Sequence, residues 1–110
     1  DYQFYPVIEI KNEEFKQKFL NFLEWLKNQK NYLPVYENLA KISLEEDKII
    51  FITKNDIKIY FPLISEKDWT YFYKNLDKIM AYLYEKELIE KVELIRLDYP
   101  LGSALIKFRG

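Results

Sequence analysis

The sequence predicts an α+β domain, with an antiparallel-rich sheet carrying two amphipathic helices on one face and closing in a C-terminal β-hairpin. Three observations lead there. Two segments repeat apolar residues at spacings of three and four, the period of a helix lying on a core. Short runs between residues 40 and 61 alternate apolar and polar side chains, the period of a half-buried strand. The remaining apolar runs are β-branched and aromatic and flank the helical segments, so the order is β, α, βββ, α, ββ.

Residues 2–10, Tyr-Gln-Phe-Tyr-Pro-Val-Ile-Glu-Ile, read as the first strand, and Pro6 limits it to an edge or to two short extended pieces. Asn12 is placed to cap the first helix, with Glu13 and Glu14 in its opening turn and Phe15, Phe19, Phe22, Leu23 and Leu26 along one face. That helix is expected to stop near residues 28–31. Residues 32–38 contain Pro34 and read as a connection, since proline lacks a donor and disfavours helix at the residue before it. Ala40, Ile42 and Leu44 begin a three-strand meander, which turns at Glu45-Glu46-Asp47, continues over 48–53, turns again at Lys54-Asn55-Asp56 and ends over 57–61. Pro62 stops it.

Ser65-Glu66-Lys67-Asp68 matches a capping box, and Trp69, Phe72, Leu76, Ile79 and Leu83 follow at helical spacing to about residue 86. Residues 91–98 are a strand, 99–102 a turn and 103–108 a last strand, giving the terminal hairpin. No sequence repeat or low-complexity segment appears. All 110 residues fall in a single domain, and at this length roughly two-thirds of the unfolded chain's surface can be buried without staples.

The composition excludes much chemistry. There is no Cys and no His, which removes thiol nucleophiles, an imidazole base and the usual zinc, haem and iron–sulfur ligands. Seventeen Lys+Arg balance eighteen Asp+Glu, and only Arg96 and Arg109 are arginine, so no basic field for nucleic acid exists. The Lys and Glu bias is thermophile-like. No apolar run approaches the roughly 18 residues that a membrane span needs.

The remaining chemical candidates each have a plainer reading. Glu45-Glu46-Asp47 lacks the spacing and the glycine of a cation loop and reads as a solvated turn. Ser43, Ser65 and Ser103 lie in no nucleophile elbow or Ser-x-x-Lys pattern. With only Gly102 and Gly110, no phosphate cradle can form. Phe51, Tyr60 and Phe61 read as strand packing rather than a base-stacking platform. Trp25 lies off the tightest helical register, at a boundary or on an exposed patch. The last strand is an edge candidate, and an open edge is either blunted, here by Lys107, or used to add a strand.

Residues 49–61, the helix over 66–86, and Val92-Glu93-Leu94-Ile95-Arg96-Leu97-Asp98-Tyr99 with Gly102 and an apolar strand resemble the extracytoplasmic β domain of the bacterial cell-division family FtsQ/DivIB. The family's strand near its end reads Asp-Leu-Arg-Tyr; here Arg96-Leu97-Asp98-Tyr99 exchanges acid and base. Tyr5-Pro6-Val7-Ile8 is similar to the family's Leu-Pro-Val-Ile, and Pro62 stands where the family often has Gly. The resemblance implies a non-enzymatic divisome scaffold for septation, without cofactor or metal, on the extracytoplasmic face of the membrane at the division site. The cytoplasmic tail, membrane span and POTRA domain of the anchored parent would precede Asp1. Partners of the FtsB/DivIC type, and through them the FtsL type, would add a strand at Tyr99, Gly102, Ser103, Ala104, Leu105, Ile106 and Lys107. Ala104, Ile106 and Phe108 are expected on the core, leaving Tyr99, Leu105 and Lys107 for the partner. The alternative is a domain unrelated to division that self-associates through the same strand or binds a small ligand.

Overall fold

The structure, a computed structural model, describes residues 5–98 and 103–110. Six strands and two helices follow the expected order: β1 (Val7–Ile10), α1 (Lys16–Asn28), β2 (Leu39–Glu45), β3 (Lys48–Thr53), β4 (Lys58–Pro62), α2 (Trp69–Glu85), β5 (Val92–Arg96) and β6 (Leu105–Phe108). They form one sheet in the order β1-β2-β3-β4-β5-β6. The meander β2-β3-β4 and the hairpin β5-β6 are antiparallel, whereas β1–β2 and β4–β5 are parallel. The sheet is therefore mixed. Parallel neighbours need a long crossover, and α1 and α2 supply it in turn. β1 and β4 run the same way and both crossovers step in the same direction, so a common crossover hand puts both helices on one face. Ring contacts agree: Phe22 of α1 and Tyr73 of α2 both pack on Phe51 and Phe61.

The architecture is a repeat that the sequence conceals. β1-α1-β2-β3 and β4-α2-β5-β6 are two βαββ units. Each helix is preceded by a single 3₁₀ turn, starting at Glu13 and Glu66, and each second strand by another, at Tyr36–Asn38 and Ile89–Lys91. Glu13 to Glu66 and Leu39 to Val92 are both 53 positions. Even the irregularities match, since the register shifts once at Leu39/Lys41 and once at Val92/Leu94.

The core lies between the helices and one sheet face. α1 contributes Phe19, Phe22, Leu23 and Leu26, with Trp25 half-buried at the boundary against Trp69 and Tyr73. Asn12 caps the 3₁₀ turn that leads into α1 rather than α1 itself, its Oδ1 accepting the Glu14 N–H at 3.0 Å while its amide donates to the Glu46 carbonyl. Ser65 makes no side-chain cap bond, which corrects the capping-box expectation. The buried stripe of α2 also differs: it runs Trp69, Tyr73, Leu76, Met80, Leu83, while Phe72 and Ile79 stay half-buried. Tyr73 is tolerated there because its hydroxyl donates to the Pro34 carbonyl, satisfying the one polar atom of its side chain.

Among the described residues no helix lies over the other sheet face. One row across it reads Glu9, Ser43, Ile50, Tyr60, Arg96, Leu105, and the next Val7, Lys41, Ile52, Lys58, Leu94, Lys107.

Candidate interaction edge

Two strands end the sheet, β1 and β6, and among the described residues each pairs on one side only. At β6 the ladder to β5 pairs Arg96 with Leu105, Ile95 with Ile106 and Leu94 with Lys107. Just past the strand, the Arg109 N–H donates to the Lys91 carbonyl at 2.7 Å. In a regular strand the main-chain groups alternate in direction, so Leu105, Lys107 and Arg109 address β5 while Ile106 and Phe108 address the open side. The Arg109 guanidinium also donates to the Asp56 carbonyl at 2.9 Å, tying the strand's end to the β3–β4 turn.

The same logic applies at β1. The Lys11 N–H donates to the Leu44 carbonyl at 3.0 Å, so Val7 and Glu9 address β2 while Ile8 and Ile10 face outward. Ten large hydrophobic side chains are exposed among the described residues, and five cluster at the two edges: Tyr5, Val7, Ile8, Leu105 and Phe108. Each edge also carries a charge that limits indiscriminate pairing. Lys107 lies 3.8 Å from Glu93, and Glu9 lies 2.7 Å from Lys41. The Lys41 hydrogen bond holds the Glu9 carboxyl below the usual carboxylate range, and its reciprocal raises Lys41.

Of the residues expected to bind a partner, Leu105, Ile106 and Lys107 lie in β6, and Ser103 and Ala104 lead exposed into it. Tyr99 and Gly102 lie outside the described residues. The expected facing needs correction: Ile106 packs against the core, but Ala104 is exposed and Phe108 is 43% exposed. β6 is the outermost strand, whereas the α2 rings lie over β3 and β4. Phe108 and Ile8 were thus missed as edge residues; the β-branched run at 7–10 carried the signal for Ile8, and nothing in the sequence distinguished Phe108 from a core phenylalanine.

The exchanged pair forms a contact of its own. Arg96 grips Asp98 in a bidentate fork, Nε to Oδ1 at 3.0 Å and Nη2 to Oδ2 at 2.7 Å, and lies 4.2 Å over the Tyr60 ring. Lys48 approaches the same carboxylate at 3.5 Å. The Arg96 hydrogen bonds hold Asp98 below its usual range. Phe51 and Phe61 are fully buried and cannot stack on a ligand, and Tyr60 is half-buried with Arg96 and Lys58 over its ring. Glu45 pairs with Lys11, and Ser43 is buried against Glu45. Among the described residues no group of three or more acidic side chains is placed to hold a metal, and no helix is long and apolar enough to cross a membrane. An open cleft of about 380 Å³ between Leu33, Pro34, Asn55, Met80 and Tyr84 has Lys54 as its one cation among the described residues. No protein-family model matches the chain, and no curated protein matches it either.

Proposed function

We propose that this domain is a non-enzymatic interaction module that takes up a partner's strand on β6. In the resemblance drawn from the sequence, that partner is of the FtsB/DivIC type, with an FtsL-type protein joining through it, at the extracytoplasmic face of a division site. One observation supports the reading most: Ile106 and Phe108 direct main-chain groups to the open side of a strand whose neighbouring side chains, Leu105 and Phe108, are exposed. Ladder hydrogen bonds would supply pairing, and alternate side chains would supply specificity. The Arg96–Asp98–Lys48 cluster ties the end of β5, on which β6 is laid, to β3.

The test is a titration of the isotope-labelled domain with extracytoplasmic segments of FtsB/DivIC- and FtsL-type proteins, read by backbone amide shifts. The largest shifts are expected at Ile106 and Phe108, whose N–H groups would gain partners. Silence at saturating segment, or shifts confined to the cleft beside Lys54, would overturn the reading.

A further inference from the structure

The repeat says more about the open edge than exposure alone. In the first unit, the last strand is β3, and its outer side is covered by β4, the first strand of the second unit. In the second unit the last strand is β6, and the strand equivalent to β4 is β1. We infer that β6 of one copy of this chain pairs antiparallel with β1 of a second copy, reproducing between molecules the β3–β4 junction within one. This goes beyond strand capture from a partner, and it draws on the same β6 backbone groups, so the two compete.

The equivalence fixes the register. Ile8 and Ile59 hold matching places, opposite Ile42 and Ile95 on the parallel neighbours, and Phe51 and Ile106 match opposite the same pair. Phe51 pairs with Ile59 in the molecule, so Ile106 pairs with Ile8 of the second copy. Neighbouring positions follow in order: Ala104 meets Ile10, Leu105 meets Glu9 and Lys107 meets Val7.

Three features of the structure fit that pairing. The main-chain direction is correct on both sides: the Thr53 N–H reaches across to the Ile57 carbonyl at 3.0 Å, and its equivalent Phe108 points to the open side. Ile8 and Ile10 also face outward, so each strand offers its groups where the other needs them. The bond past the bulge repeats as well, Lys54 N–H to the Asn38 carbonyl in one unit and Arg109 N–H to the Lys91 carbonyl in the other. Second, the side chains are complementary. On the helix face Ile106 would meet Ile8, which is 37% exposed, and on the open face Lys107 would lie diagonal to Glu9.

Third, a seat exists for the incoming helix. Within the molecule Trp69 and Tyr73 of α2 pack on Phe22 and Trp25 of α1. Beyond α2 the corresponding position is an open groove of about 380 Å³ beside Phe72, Asn75, Lys78, Ile79, Leu97 and Ala104, in which Asn75 and Lys78 hold the places of Phe22 and Trp25. α1 of the second copy, which carries exposed Leu20 at the place equivalent to Tyr73, is the element the repeat would place there. Such a contact is head-to-tail, so it propagates rather than closing as a two-fold dimer.

Complementation of blocked edges tests this. Ile8→Pro removes an outward donor from β1, and Ile106→Pro removes one from β6. Sedimentation velocity over a concentration series should show the native chain associating and each variant alone remaining monomeric, while an equimolar mixture forms a one-to-one dimer. Because proline can unfold an edge, a second measurement uses the chain's lack of cysteine. Ile8→Cys and Ile106→Cys chains, mixed and oxidised, should cross-link to each other in preference to themselves. A native chain that stays monomeric, a mixture that fails to pair, or cross-links chiefly between two Ile106→Cys chains would each overturn the inference. Strand capture from a division-type partner is read separately, by amide shifts in the Ile8→Pro variant, whose β6 is intact.

Discussion

β3 and β6 occupy the same place in the two halves of this molecule and experience opposite surroundings. Phe51, at the centre of β3, is fully buried; its equivalent Ile106 is half-buried, and Phe108, the equivalent of Thr53, is 43% exposed where Thr53 is 4% exposed. The chain makes similar strands in both places. What differs is the next strand, present beside β3 and lacking beside β6 among the described residues. Burial at a sheet position is conferred by a neighbour more than by the residue itself.

That comparison can be broken or sharpened in order of expected effect. Amide exchange should separate the two strands most. The Phe51 N–H is held inside the sheet and should exchange only through global opening, whereas in the dilute monomer the outward Ile106 N–H needs no opening, a difference of at least about a thousandfold. Hydrogen–deuterium exchange followed by two-dimensional NMR reads it, and equal protection would mean that β6 is covered in solution. Truncation comes next. Phe51→Ala should cost about 3–5 kcal/mol in chemical denaturation, and Ile106→Ala only about 1 kcal/mol, because an edge site is already partly wet.

The ion pair is a smaller term. Asp98 has a folded pKa below its unfolded value, so its stabilisation is complete above the ordinary carboxylate range and is lost as pH falls through the lowered folded value. Asp98→Asn should therefore flatten stability against pH in that acidic window and cost about 1–2 kcal/mol at neutral pH. The matching contact in the first unit, Ser43 to Glu45 at 3.2 Å, is a single bond from a hydroxyl, and Ser43→Ala should cost less. The helix ends differ least. α2 closes with Glu87 at φ 58°, as Leu88 N–H reaches back to the Leu83 carbonyl at 2.8 Å. α1 runs out through Gln29 in an extended conformation. Glu87→Gly should gain about 0.5–1 kcal/mol in thermal unfolding, whereas Gln29→Gly should gain nothing and instead lose the two hydrogen bonds that the Gln29 amide makes with the Tyr32 backbone.

Most of the elements were legible because periodicity is local. The α1 stripe, the meander and the final hairpin need only side-chain spacing and the chain-breaking residues at 34 and 62. Strand order was not legible, since it is decided by which faces meet across the fold; the two parallel pairs follow from helices long enough to carry the chain back. The α2 stripe was misassigned at Phe72 and Ile79 because Tyr73 becomes a core residue only once the Pro34 carbonyl is near enough to accept its hydrogen bond. The repeat was hidden for a related reason. Phe51 and Ile106, or Ser43 and Arg96, share a position but not a chemistry, so geometry repeats where sequence does not. At the candidate edge, the sequence located the strand and could not tell which of its main-chain groups look outward.

The turn at residues 54–56 is the only covalent link between two complete crossovers. Cutting there would leave each piece with its own helix, its own hairpin and half of the β3–β4 ladder. The Phe22–Trp69 contact and that ladder are the means by which the pieces would find each other again. The molecule is thus already organised as a complex of two small proteins that happen to share a chain.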